Sequence, residues 1–267
     1  MKDADALVRE TQSRLAGLAR PASDHPVSGG HGSRLQRLGL RVPELRAVAR
    51  DLARDCRALP PREVVRVAQG LVERKSFEGG LAAFELLWCH RAAAATLTAR
   101  DLDRLARGAD NWGTTDTFAC LVSGPAWHRG QVSDAWNARW TRSRDRWLRR
   151  IALVSTVPLN LPSRGGTGDV PRTLRVCRML VADHDEMVVK ALSWALREAA
   201  KRDPAAVRRF LERHRGTIAA RVLREVTNKL ATGLKTPKSG RVAHALRPPR
   251  PRPAPARPVP APRKAAR

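Results

Sequence analysis

Residues 40–63 read LRVPELRAVARDLARDCRALPPRE, and this stretch begins a helix twice. In each case a proline, Pro43 and then Pro61, stands in the first helical turn, where its missing N–H costs nothing. No window of the chain alternates apolar and polar residues over a strand's length, so β-strands are not supported. We predict an all-α fold of ten or more helices, an antiparallel helix-pair solenoid or a bundle. Besides 3–18 and the helices that begin at these prolines, the predicted helices cover 76–96, 98–108, 115–123, 132–140, 145–157, 170–182, 186–201, 204–213 and 217–230.

The C-terminal segment 235–267 differs from the rest of the chain. It holds ten Lys or Arg, no acidic residue, and repeated Arg-Pro and Ala-Pro pairs. Proline removes backbone donors and the apolar content is low, so we expect a disordered Pro/Arg-rich tail. The predicted organisation is a helical-repeat domain over 1–234 followed by this tail over 235–267.

Charge is the strongest compositional signal. The chain has 51 Lys+Arg against 25 Asp+Glu, a formal net charge of +26, and the tail accounts for +10 of it. Such a surface attracts polyanions, with nucleic acid the first candidate and an anionic membrane surface the second. Only eight of the basic residues are Lys, and the arginine fork suits phosphate. A genome rich in Arg and Ala codons is the alternative explanation of the charge.

The four cysteines, Cys56, Cys89, Cys120 and Cys177, are widely spaced and form no CxxC pair. We therefore expect buried thiols, no zinc site and no disulfide framework. The N-terminus lacks the apolar run of a signal peptide, and no stretch approaches the ~20 apolar residues of a membrane span. These features predict a cytoplasmic protein without a metal or other cofactor.

A first candidate site lies in Asn111-Trp112-Gly113-Thr114-Thr115-Asp116. Trp112 and Asp116 are four residues apart, so they share a face if this segment is helical. An aromatic ring beside a carboxylate suits a developing cation, because the carboxylate supplies charge and the ring its electron-rich face. The alternative is a core tryptophan beside a helix N-terminus that Thr114 or Asp116 caps.

A second candidate lies in Arg146-Trp147-Leu148-Arg149-Arg150. Trp147 belongs to a predicted buried stripe, whereas the three arginines gather on the other side of the helix. Such a cluster suits a phosphate, and a solvated basic face is the alternative.

A third candidate places Lys190, Trp194 and Arg197 at i, i+4 and i+7, with an aromatic ring between two cations. This interleaving favours contacts with sugar-phosphate and bases. A core tryptophan is again the alternative.

Taken together, four segments resemble the AlkD-type DNA alkylation repair glycosylases in their order and separations. They are Leu38–Arg46, Trp112-x-x-x-Asp116, Trp147–Ala152 and Lys190–Glu198, and the resemblance spans about 35–230. It implies a curved stack of HEAT-like helical repeats whose basic concave face holds duplex DNA.

The resemblance also implies roles for individual residues. Trp112, Trp194 and Asp116 match the two tryptophans and the aspartate that flank the deoxyribose of a damaged nucleotide, and Arg150 matches an arginine that contacts phosphate. Arg146, Arg149, Lys190 and Arg197 are our further candidates for contact with DNA. The family releases cationic N3- and N7-alkylated purines without flipping them into a pocket, unlike most glycosylases. We expect the same hydrolysis here, by a monomer.

The residues are consistent with that chemistry. An alkylated purine already carries positive charge and leaves without a general acid, so the remaining task is to stabilise an oxocarbenium-like sugar. One carboxylate at ~4 Å in an effective dielectric of ~20 contributes about 4 kcal/mol. Asp116 is also placed to orient the attacking water.

A departure from the family pattern and other uses of the same scaffold keep other functions open. The chain has no tyrosine, and His31 in Gly29–Ser33 is at best a partial substitute for one offered by the family's N-terminal helices. A non-catalytic binder of branched or distorted DNA would use the same scaffold. A third possibility is a helical scaffold for acidic partners or RNA, with all seven tryptophans in its core.

Overall fold

The fold is described by a computed structural model that covers residues 3–20 and 33–237. The all-α prediction is confirmed: the described residues form helices and no strand, with one isolated bridge between Gln36 and Ser76. The helices are α1 (Ala4–Gly17), α2 (Val42–Asp55), α3 (Pro61–Glu73), α4 (Phe77–Cys89), α5 (Arg91–Ala95), α6 (Ala99–Ala106), α7 (Trp112–Phe118), α8 (Gly124–His128), α9 (Asp134–Trp140), α10 (Arg146–Val154), α11 (Val157–Asn160), α12 (Val170–Met179), α13 (Glu186–Ala199), α14 (Pro204–Arg213) and α15 (Ala220–Thr232).

Helix starts follow the local chemistry of the sequence. Pro43 and Pro61 stand in the first turns of α2 and α3, as predicted. Side-chain oxygens cap other helices, among them Ser76 on α4 and Thr98 on α6, where they accept bonds from orphan backbone N–H groups. One predicted helix is divided: His90 ends α4 and its imidazole caps α5, so 76–96 is two helices.

The helices pair along the chain and form two layers. Successive pairs are α1 with α2, α3 with α4, α6 with α7, α9 with α10, α12 with α13, and α14 with α15. The second members pack side by side in the order α2, α4, α7, α10, α13, α15, which we call the second-helix layer. Among the first members, α1 packs on α3, α3 on α6, and α12 on α14; these helices form the first-helix layer. This arrangement is the predicted helix-pair solenoid.

The chain after α7 and the residue that follows α10 come into close contact, which fixes their relative position. A π-helical segment, Ala119–Ser123, connects α7 to α8. The next residue is Gly124, where a Cβ atom would lie 2.7 Å from the Ser155 carbonyl oxygen, so only glycine fits. The buried Ser123 and Ser155 hydroxyls share a hydrogen bond of 2.7 Å beside this contact.

The core runs through both layers, with Phe84, Phe118 and Trp127 among its largest buried side chains. The prediction of buried thiols is confirmed for Cys56 and Cys177, whereas Cys120 is half-buried and Cys89 is exposed. Within the described ranges, no helix is both long and apolar enough to cross a bilayer.

The predicted domain boundary needs one correction. Lys235 was assigned to the tail, but its backbone oxygen accepts a hydrogen bond from Asn228 and its ammonium lies 3.5 Å from the Glu225 carboxylate. Lys235 therefore lies against α15. The rest of the predicted tail, 238–267, and most of the loop that contains His31 lie outside the described residues.

Candidate DNA-interacting site

The site begins at the N-terminus of α7, where Trp112 is the first helical residue. Asn111 caps this helix, since its side-chain oxygen accepts from the backbone N–H groups of Gly113 and Thr114. Asp116 is thus not needed as a cap. Trp112 is 42% exposed, whereas the six other tryptophans are buried or half-buried. This exposure removes the interpretation in which every tryptophan serves the core.

Asp116 lies one turn after Trp112 and forms a two-pronged ion pair with Arg150 of α10. Nε and Nη2 of Arg150 donate to the two carboxylate oxygens at 2.8 and 2.7 Å. Nη1 donates to the carbonyl oxygen of Met187 on α13, at 2.5 Å. One guanidinium group therefore connects α7, α10 and α13 and holds the carboxylate in one orientation.

The burial of the pair is uneven. The Arg150 side chain is 7% exposed and the Asp116 side chain is 18% exposed. Burial raises the pKa of the Asp116 carboxyl, while the hydrogen bonds and charge of Arg150 oppose the rise. Since arginine stays protonated, the pair holds a carboxylate with a part of its surface open to a ligand.

The structure does not place the three arginines of α10 on one free face, as the sequence pattern predicts. Arg150 is buried against Asp116, and Arg149 donates to Asp183 at 2.7 Å and to the Ser143 carbonyl oxygen. Arg146 lies 3.3 Å from Asp185. The pattern misses this because the acids stand in the turn before α13, more than 30 residues away in sequence. Contact of these arginines with phosphate stays a prediction.

The three predicted residues of α13 share its surface with different degrees of exposure. Lys190 pairs with Glu186 at 2.7 Å, and Trp194 is half-buried against the core. Nε of Arg197 donates to the Ser193 hydroxyl at 3.3 Å, and burial lowers the pKa of this guanidinium. The second-helix layer thus brings α7, α10 and α13 side by side, so all the predicted site residues lie on adjacent helices.

Comparison with known proteins decides the family. The model of the DNA alkylation repair enzyme family matches residues 11–230, which is most of the chain. This protein belongs to the DNA alkylation repair enzyme family. A solved structure described as a predicted DNA alkylation repair enzyme from Enterococcus faecalis is similar at a TM-score of 0.60 and 13% identity. The match covers 87% of this chain and 98% of that one, and at this identity it shows a shared fold. A search of curated proteins finds no match.

Family membership confirms the resemblance carried by the four sequence segments, and it makes DNA the substrate class.

Other residues near Asp116 carry no functional pattern in the sequence. Cys120 lies one turn after Asp116; burial raises the pKa of its thiol to about 12, and Asp116 adds to this rise. The positive charges of Arg164 and Arg150 lower the pKa of this thiol, so both guanidinium groups lie near the Cys120 sulfur.

Arg164 is held by an aromatic stack. Its guanidinium carbon lies 4.7 Å from the ring centroid of Trp88, at the end of α4, and it has no acidic partner among the described residues. Arg164 stands in the connector Pro162-Ser163-Arg164-Gly165, where no periodicity marks it, and only the fold brings it to Trp88. In this DNA alkylation repair protein it is a further basic group beside the site.

A surface depression of about 790 Å³ lies near the N-terminal ends of α7 and α10. Trp140, Trp147 and Leu148 form its apolar wall, and Arg107 and Asp110 are among its polar residues. Neither Trp112 nor Asp116 lines it. Trp112 is exposed at the start of α7, whereas the Asp116 side chain keeps only 18% of its surface accessible.

Proposed function

We propose that this protein is a DNA glycosylase that hydrolyses the N-glycosidic bond of cationic N3- and N7-alkylated purines in duplex DNA. One observation carries the proposal: an exposed tryptophan, Trp112, stands one turn before a carboxylate, Asp116, that a buried arginine holds in place. Contact with a ligand would explain why the Trp112 ring is exposed, and we propose that this ligand is the deoxyribose of DNA.

The reaction requires little acid chemistry from the protein. The alkylated base is positively charged, so its bond to C1′ breaks heterolytically and the base departs as a neutral purine. Positive charge then develops on the sugar, where an unpaired carboxylate at ~4 Å would contribute about 4 kcal/mol at an effective dielectric of ~20. The Arg150 guanidinium offsets a part of this contribution. A water molecule oriented by Asp116 adds to C1′ and loses a proton to solvent, which yields an abasic site.

Arg150 acts as a positioning residue in this proposal. Its fork fixes both oxygens of Asp116, and its third nitrogen bonds to Met187, in the first turn of the helix that carries Trp194. A single side chain thus sets the distance between the carboxylate and the helix that bears the second tryptophan. Such preorganisation is how enzymes stabilise charge in a transition state.

The remaining assignments concern how DNA is held. Trp112 and Trp194 flank the deoxyribose, while Lys190 and Arg197 contact the backbone from α13. We add Arg164 as a phosphate contact, because its guanidinium is oriented by Trp88 and pairs with no acid among the described residues. Trp112 is exposed at the surface of α7, and in this proposal the lesion reacts there without being flipped into a pocket.

One observation favours the alternative, a non-catalytic binder of branched or distorted DNA. The Asp116–Arg150 pair has no net charge, and it would hold the repeats together even in a protein without activity. The two functions differ in one outcome: a binder retains the lesion duplex without releasing a base.

The charge of the lesion tests the proposed chemistry. Duplexes that contain N7-methylguanine or the neutral lesion 8-oxoguanine are compared for release of free base under single-turnover conditions. We expect release from the cationic lesion alone, because the proposed mechanism assigns no residue to protonate a neutral leaving base. Equal release from both duplexes would contradict the mechanism.

A further inference from the structure

A second cluster of arginines lies on the groove between α12 and α14. Arg178 of α12 and Arg209 and Arg213 of α14 line one surface depression together with His214. None of these arginines makes an ion pair or a side-chain hydrogen bond with the described part of the chain. This differs from α10, where Arg149 and Arg150 each meet an aspartate.

The depression lined by these arginines has an excess of positive charge, and Asp203 lines only an adjoining depression that it shares with Arg178. No carboxylate lines the depression. Arg209 and Arg213 are four residues apart on one helix, an arrangement in which like charges repel. Burial lowers the pKa of the His214 imidazole, and Arg178 and Arg213 lower it further, so both guanidinium groups act on the ring. An anion in the groove would relieve this repulsion.

The position of the groove separates it from the proposed active surface. Both α12 and α14 belong to the first-helix layer, whereas Asp116 and Arg150 lie on α7 and α10 of the second-helix layer. A duplex bound at Trp112 thus meets the opposite layer. The basic segment 238–267 has no acidic residue and cannot serve as the anion.

We propose that the groove formed by Arg178, Arg209 and Arg213 is a second binding site for the phosphate backbone of duplex DNA. The protein then holds two DNA segments, one at each layer. This inference rests on DNA as the substrate class of the family and does not require base excision.

The dimensions of the groove favour DNA over an acidic protein. Protein interfaces are stabilised mainly by a few large side chains that fill desolvated pockets. The depression here is about 190 Å³, below the ~300 Å³ of the smallest usual ligand pockets, and Leu174, Ala206 and Phe210 supply its apolar lining. A shallow groove with unpaired arginines fits phosphates, which take up most protein–DNA hydrogen bonds together with sugars.

Capture of a second duplex tests the proposal. An immobilised duplex is loaded with the full-length protein, and the retention of a second, fluorescent duplex is measured against salt concentration. The test variant is Arg178→Gln/Arg209→Gln/Arg213→Gln. Its matched control, Arg57→Gln/Arg91→Gln/Arg100→Gln, removes the same charge from exposed positions elsewhere that form no ion pair with the described residues. All three proteins keep 238–267, so its contribution is common to them.

We expect the control to retain the second duplex within about twofold of the wild type. The test variant should retain at least tenfold less, and its salt slope should fall by about 2.7, since each phosphate contact contributes ~0.9. Loading on the first duplex, and any release of N7-methylguanine from it, should change less than twofold. Capture by the test variant equal to that of the control would overturn the proposal and would point to an acidic protein as the occupant. Failure of excision in all three proteins, with capture retained by the wild type and the control and lost by the test variant, would contradict the proposed function alone.

Discussion

Replacement of Asp116 by asparagine removes one negative charge and leaves the shape of the side chain. In the structure this carboxylate accepts two hydrogen bonds from Arg150, at 2.8 and 2.7 Å. The side-chain oxygen of asparagine still accepts one of these hydrogen bonds. Its NH2 group, however, faces the other guanidinium N–H, so that two donors meet. The substitution thus affects both the proposed chemistry and the contact between α7 and α10.

The two effects have different magnitudes. Loss of one preorganised electrostatic contact lowers a rate by about 10²–10³. Removing one partner of a buried ion pair costs ~3–5 kcal/mol of unfolding free energy. Because Asp116 is 18% exposed and Arg150 keeps its bond to Met187, we expect a smaller loss for Asp116→Asn, about 2 kcal/mol. The sequence alone leads us to expect almost no change in stability, since the partner of Asp116 is visible only in the fold.

A control variant separates the two effects. Asp101 is a buried carboxylate on α6 of the first-helix layer that pairs with Arg62, so Asp101→Asn should also lower stability.

The assays are urea unfolding, duplex affinity, and single-turnover release of N7-methylguanine at a temperature where all proteins are folded. Asp116→Asn should release base 10²–10³-fold more slowly, as estimated above from loss of one electrostatic contact. It should bind duplex as well as or better than the wild type, while Asp101→Asn should excise normally. Equal release by wild type and Asp116→Asn would refute the role of this carboxylate.

Three further predictions concern pH, DNA affinity and the exposed ring. Burial raises the pKa of Asp116, so excision should fall as the pH drops through that raised value; in Arg150→Gln, which removes the opposing contribution, the pH–rate profile should fall at a higher pH. An unshifted profile in Arg150→Gln would show that Asp116 is not the titrating group. Arg164→Gln should reduce the salt slope of duplex binding by about one and leave the saturating rate unchanged, and a normal slope would remove the phosphate assignment. Trp112→Ala should slow excision roughly 5- to 30-fold, for a loss of about 1–2 kcal/mol of cation–π stabilisation, with less than ~0.5 kcal/mol lost in urea unfolding. Trp127→Ala, in the core, should show the reverse balance, with about 3–5 kcal/mol of stability lost.

The sequence predicts most of the fold because its helix signals are local. The prolines at α2 and α3 and the apolar spacing need no partner to be recognised, and their positions agree with the structure. Boundaries that depend on one residue were less accurate, as at Asn111, whose cap starts α7 three residues before the predicted start. The sequence also predicts one helix over 76–96 and misses the break at His90, because a histidine cap has no distinctive pattern.

The candidate site is predicted in its residues but not in its ion pairs. Spacing places Trp112 and Asp116 on one face of a helix, and the structure agrees. Arg150 lies 34 residues after Asp116, so no local pattern reveals their pairing. The Arg164–Trp88 stack joins a connector to a distant helix and is likewise invisible in sequence. Contacts of this kind depend on the stacking of helix pairs.

Release of free base most directly tests whether this protein is an enzyme. A duplex with a single N7-methylguanine is incubated with excess protein, and the free base and the intact strand are both quantified against a sample without protein. The account predicts free N7-methylguanine in an amount equal to the abasic strand formed, at a rate well above spontaneous loss. A lesion duplex that is tightly bound yet loses its base no faster than the sample without protein would contradict the account and would favour a non-catalytic DNA binder.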